Sequence, residues 1–83
     1  MSDETERTAQ LAHLEHLKAM GEKYYDDMYE AHSSSGATGC YSDAKDCYRD
    51  AIALARSLGL EAETKALEDR LAHIKAVFRS QFA

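Results

Sequence analysis

The sequence has no proline and no tryptophan, only four glycines and two cysteines, and no long apolar run. Each scarcity excludes something. Without proline, long helices meet no residue that removes a backbone donor and clashes with the preceding turn. Two cysteines cannot supply the disulfide framework of a small secreted domain, so reduced thiols and a cytoplasmic setting are expected. No stretch reaches the ~18 apolar residues of a membrane span. Residues Met1 to Gln10 are polar and acidic, unlike a secretion signal. Basic charge is also short, with 10 Lys and Arg against 15 Asp and Glu and a net charge of −5. Eight of the acids (Asp3, Glu4, Glu6, Glu15, Glu22, Asp26, Asp27, Glu30) lie in residues 1–40, against Arg7, Lys18 and Lys23. Such a chain repels phosphate backbones and carries no basic stripe with interleaved aromatics, so neither nucleic acid nor membrane is the expected partner.

What is present favours helix. Ala, Leu, Glu and Asp dominate, and a hydrophobic fraction of 45% is enough for a core in one 83-residue domain. Leu11, Leu14, Leu17, Met20 or Gly21, Tyr24, Met28 and Ala31 recur in steps of three and four. That period predicts a helix over about residues 4–32. At ~43 Å it would be longer than a globule of this size needs, so part of it should project. The run from Ser33 to Gly39 has no period and reads as a flexible connection over 33–40. A second helix is predicted for about 42–58, with Ser42 as N-cap and Asp43 and Asp46 near the positive end of its dipole. Its apolar stripe is Ala44, Cys47, Tyr48, Ala51, Leu54, Ala55 and Leu58, and Gly59 supplies a left-handed stop. Leu60, Thr64, Leu67, Leu71, Ile74, Phe78 and Phe82 or Gln81 mark a third helix over about 61–81. The expected fold is all-α, a three-helix up-down-up bundle with a long first helix.

Leu17-x-x-Met20-Gly21-x-x-Tyr24, followed by Ala44-x-x-x-Tyr48-x-x-Ala51, resembles one tetratricopeptide-repeat hairpin. The third helix then resembles the solvating helix that closes such arrays. The small residues of that pattern let two antiparallel helices approach, and its aromatics fill the space beside them. The resemblance implies a scaffold or adaptor that takes up a peptide or a partner helix, with Tyr24, Tyr25 and Met28 near the groove.

Several residues invite chemistry. His13 and His16 stand one turn apart, a spacing able to hold a metal, but two ligands do not make a site and no third is legible. Cys40 and Cys47, seven positions apart on a helix, would be ~10.5 Å apart and too distant for a disulfide. Cys40, expected just before a helix N-terminus, could have a lowered pKa. The pairs Asp26/Asp27 and Glu61/Glu63 fall on solvated faces, and no nucleophile has a base at a readable spacing. No enzyme, cofactor or metal is therefore expected. Lys75, Phe78, Arg79 and Phe82 form a small basic-aromatic end that should seal the bundle.

Tyr25 and Tyr29, on the shoulder of the first helix beside Asp26, Asp27 and Glu30, have the composition of a contact surface. An acidic rim of this kind would prefer a basic partner. The expected function is a non-catalytic protein–protein interaction module, self-associating as a homodimer. Tyr24, Tyr25, Asp26, Asp27, Met28 and Tyr29 are its expected partner-binding residues. The alternative is a small thiol- or metal-responsive sensor using Cys40 with His13 or His16.

Overall fold

A computed structural model describes residues 2–31 and 33–81. Three helices follow one another: α1 (Ser2–Glu30), α2 (Ser34–Ser57) and α3 (Glu61–Gln81). Among the described residues there is no strand, and α1 is the longest element with 29 residues. The all-α, three-helix architecture with a long first helix is the one the periodicities predict.

The ends follow from local chemistry. Asp3 and Glu4 sit in the first turn of α1, and Glu61 and Glu63 in that of α3, where carboxylates oppose the positive dipole end. Helix α2 stops at a Schellman turn. The Leu60 N–H donates to Ala55 O at 3.0 Å and the Gly59 N–H to Arg56 O at 3.1 Å, with Gly59 at φ +74°. A side chain would strain that backbone, which is why glycine stands there. The Thr64 hydroxyl then donates to Leu60 O at 2.7 Å, tying the first turn of α3 to the connection.

One expectation is overturned. The connection expected over 33–40 is helical from Ser34 onward, so α2 begins about two turns before Ser42. Its N-cap is Ser33, whose Oγ accepts from the Gly36 N–H at 3.0 Å while Ser33 O receives the Ala37 N–H. Gly36 and Gly39 disfavour helix by about 1 kcal/mol each relative to Ala. Burial offsets this. Ala37 is enclosed, and Cys40 and Tyr41 pack against the core, so the apolar stripe of α2 runs two turns further back than Ala44. Helix α1 ends at Glu30, with Ala31 already outside it, while residue 32 of its expected extension and the place of Phe82 in the α3 stripe lie outside the described residues.

Helix α2 touches both neighbours along its length, whereas the backbones of α1 and α3 meet only sparsely. Its inner surface is built of small side chains: Ala37, Ala44, Ala51 and Ala55 are all at most 1% exposed. They let α1 and α3 come close, and Leu14, Met28, Tyr48, Leu67, Leu71 and Ile74 fill the space beside them. Burying side chains the size of Leu14, Met28 and Ile74 contributes about 1.5–3 kcal/mol each. The Cα trace measures 49 × 19 × 12 Å, elongated along the helices.

The register is read from Gly21, which lies under the ring of Tyr48. With antiparallel helices, this places Leu14 near Ala55 and Leu11 near the end of α2. Leu11, expected in the buried stripe, is therefore 37% exposed. Helix α3 starts opposite Lys18, so nothing from that helix covers the turns before it. Residues 3–13 are exposed apart from a half-buried Gln10.

Candidate functional site

The six residues expected to form one partner-binding surface do not share a face. Successive positions of a helix turn by ~100°, so Tyr24 and Tyr29 diverge by ~140° around α1. Met28 is wholly enclosed and Tyr25 is buried, so neither lines a groove. Both lie on the same side of the helix as Leu14 and Gly21, which is the side α2 covers. Tyr29, at 46% exposure, and Asp26 remain open to solvent on the α3 side. Tyr24 and Asp27 are half-buried on the opposite flank, where Lys23 Nζ lies 3.5 Å from Asp27 and 5.5 Å from the Tyr24 ring.

Tyr25 belongs to a polar junction between α1 and α3. Its ring meets that of Tyr29 edge-on at 5.3 Å, and their hydroxyls are 3.1 Å apart. The Arg70 guanidinium lies 4.9 Å from the Tyr25 ring, and His73 stands 6.5 Å away. Burial, with the Tyr29 hydroxyl, pushes the Tyr25 phenol up to about 12.

Arg70 anchors this junction through Glu22. Its Nε donates to Glu22 Oε2 at 2.8 Å and its Nη2 to Oε1 at 2.6 Å, a two-pronged contact. The Tyr48 hydroxyl donates to the same carboxylate from α2, so Glu22 ties all three helices together. The Arg70 hydrogen bonds hold the Glu22 carboxyl below its ordinary value, against the opposing effect of burial. Burial is also the main cause that raises the Tyr48 phenol. A second bridge repeats the pattern nearer the free end of α1. Lys18 Nζ lies 2.6 Å from Glu63 Oε1 and 3.2 Å from Glu15 Oε1, and these contacts raise its pKa. Neither bridge is among the expectations from the sequence. Their signal is a charged residue flanking the apolar stripe on α1 and a residue of opposite sign flanking the stripe on α3.

Each thiol lies within helix α2. Cys40 stands in the second turn of α2, not just before its N-terminus as expected. It is half-buried and packs against the core, and Cys47 is half-buried as well. Burial, with Asp50, Asp43 and Asp46 adding to it, pushes the Cys47 thiol up. Cys40 lies ~12 Å beyond Tyr48 toward one end of the bundle, and His16 lies ~7.5 Å beyond Gly21 toward the other. The fold thus separates Cys40 from His16 by roughly 20 Å and from His13 by more, so they cannot share a ligand within one chain. Among the described residues, no group of three or more His, Cys, Asp or Glu side chains could hold a metal ion.

At the far end, the Tyr41 ring stacks on Phe78 at 3.9 Å with the planes 2° apart, and Lys45 Nζ lies 4.6 Å from Tyr41. This stack closes the end of the α2–α3 pair. At the α2–α3 turn, a shallow depression is lined by Arg56, Gly59, Leu60, Thr64 and Glu68. Its charged pair, Arg56 and Glu68, is 3.5 Å apart and solvated. No helix among the described residues is long and apolar enough to cross a membrane.

The feature of the surface that stands apart is the free end of α1. There Glu4, Arg7, Leu11 and Glu15 follow one another in steps of three and four and so share one face, which half-buried Lys18 continues opposite the start of α3. Compared with models of protein families, with characterised proteins and with solved structures, the chain finds no match.

Proposed function

We propose that this chain is a non-catalytic protein–protein interaction module that associates with itself through α1. The observation that carries the reading is the exposure of residues 3–13, a helical segment that extends past the start of α3 with Leu11 at its surface. This part of α1 is anchored to the bundle at one end only, and each of its ordered residues costs conformational entropy that no packing offsets. A partner surface against it supplies the missing burial. The Tyr29–Asp26 shoulder, acidic and partly aromatic, supports a second contact suited to a basic protein surface.

Sedimentation equilibrium over a wide concentration range, alongside far-ultraviolet circular dichroism, tests this reading. The intact chain should form dimers, and deletion of residues 1–12 should weaken association while the remaining helices persist. A chain that stays monomeric at every concentration overturns self-association. A deletion that leaves the association constant unchanged overturns the role of α1.

A further inference from the structure

The charges on the free face of α1 have an order. Glu4, Arg7, Leu11, Glu15 and Lys18 run acid, base, apolar, acid, base, and Leu11 is the midpoint of the series. When two copies of such a face lie antiparallel with Leu11 on the two-fold axis, positions equally far from Leu11 meet. Glu4 then faces Lys18 of the second copy, and Arg7 faces Glu15 of the second copy. All four resulting pairs are of opposite sign, and the one residue that meets itself is apolar.

Other arrangements of the same face lack this match. In a parallel pairing, each charge would face its own copy. With the axis on Arg7 or Glu15, two like charges would meet at its centre. Like charges brought together at an interface cost free energy, so the pattern selects one orientation and one register.

Resting on the self-association reading, we propose that the second copy docks antiparallel along α1, centred on Leu11 and held by the Glu4–Lys18 and Arg7–Glu15 pairs. The face is open over residues 3–13 apart from half-buried Gln10, Glu15 is exposed, and Lys18, opposite the start of α3, keeps 30% of its side chain exposed. Lys18 has three donors and already donates to Glu15 at 3.2 Å and Glu63 at 2.6 Å, which leaves one N–H for the incoming Glu4. Glu15 is 70% exposed and uses one oxygen on Lys18, so its other oxygen can accept from the incoming Arg7. The four groups Glu4, Lys18, Glu15 and Arg7 alternate in sign around each end of the interface. Leu11 of each copy covers the other.

Charge exchange tests the pairing. Arg7→Glu and Glu15→Arg are made as separate full-length variants, and sedimentation equilibrium is measured for each alone and for their equal mixture. Alone, each variant places like charges at two symmetry-related contacts, and the dimer should weaken on the order of tenfold or more. In the mixture, the glutamate introduced at position 7 of one copy faces the arginine introduced at position 15 of the other. The unaltered Glu15 and Arg7 meet at the second contact, so heterodimers should form about as tightly as the parent dimer. Both positions are exposed, and circular dichroism verifies that the helices are retained. If the parent dimerises but the single variants do so equally well, or the mixture binds no better than they do, this pairing is wrong and self-association stands. If the parent is monomeric throughout, both readings fall.

Discussion

The ring of Tyr48 lies on the backbone of Gly21, in the space a side chain at position 21 would need: a Cβ built there would stand 2.6 Å from Tyr48 Cε2. The ring cannot easily move aside. It is 2% exposed, and its hydroxyl is held by Glu22 from the next position of the same helix. Gly21→Ala should therefore destabilise the fold, although alanine is the better helix former by about 1 kcal/mol. Overpacking of this kind costs roughly 1–3 kcal/mol, so the net loss should reach up to about 2 kcal/mol. Urea denaturation of Gly21→Ala with and without Tyr48→Leu checks it. In the Tyr48→Leu background the alanine should become neutral or favourable.

The start of α2 can be located by its cap. Ser33→Ala removes the oxygen that accepts the Gly36 N–H and should cost about 1 kcal/mol. Ser42→Ala falls inside the helix on an exposed position and should be neutral or slightly stabilising. Equal and opposite results in a denaturant series would place the helix start at Ser42 after all.

Glu22 gives the fold a dependence on acid pH. Its folded-state pKa is depressed below the ordinary 4.5, so its contribution is fully present above that value and is lost as pH falls through the folded pKa. Glu22→Gln should be less stable than the parent at pH 7, by about 1 kcal/mol given the partial exposure of the Glu22–Arg70 pair. The difference should shrink steadily below about pH 4.5. Thermal melts of both proteins between pH 7 and pH 3 would show a constant difference if the carboxylate had no special partner.

The alkaline side has the opposite sign of shift. Tyr25 is raised to about 12 from its ordinary 10.0, so its contribution is complete below pH 10 and is lost as pH rises through the folded value. Tyr48 is raised as well, adding to the same trend. Ultraviolet titration of phenolate should show Tyr25 and Tyr48 ionising late, and Tyr25→Phe should remove one late step. Ionisation of Tyr25 and Tyr48 near 10 would contradict the burial of both rings.

The periodicity of α3 was legible because its four buried residues, Thr64, Leu67, Leu71 and Ile74, are the ones spaced for a single face. The close approach at Gly21 was legible for a similar reason, since a glycine inside a helix needs a neighbour to justify it. The first two turns of α2 were not. Serine and glycine disfavour helix locally, and the burial of Ala37 that offsets them depends on where α1 lies, which no local pattern records. Tyr25 was misplaced because composition near the acids suggested a surface, and Met28, which the periodicity puts in the apolar stripe, because the repeat resemblance put it near a groove; both lie buried against neighbouring helices. Leu11 was misplaced because periodicity says which way a residue points but not how far its neighbours extend.

The unequal sharing of contacts has a consequence for how the molecule breathes. Since α2 is the common wall and the α1 and α3 backbones barely meet, α3 can peel away while the α1–α2 hairpin stays closed. The two side-chain bridges, Glu22–Arg70 and Lys18–Glu63, then act as latches on that movement, and each is open to competition from salt. Amide protons of α3 would exchange before those of the hairpin, and rising ionic strength would widen the gap between them.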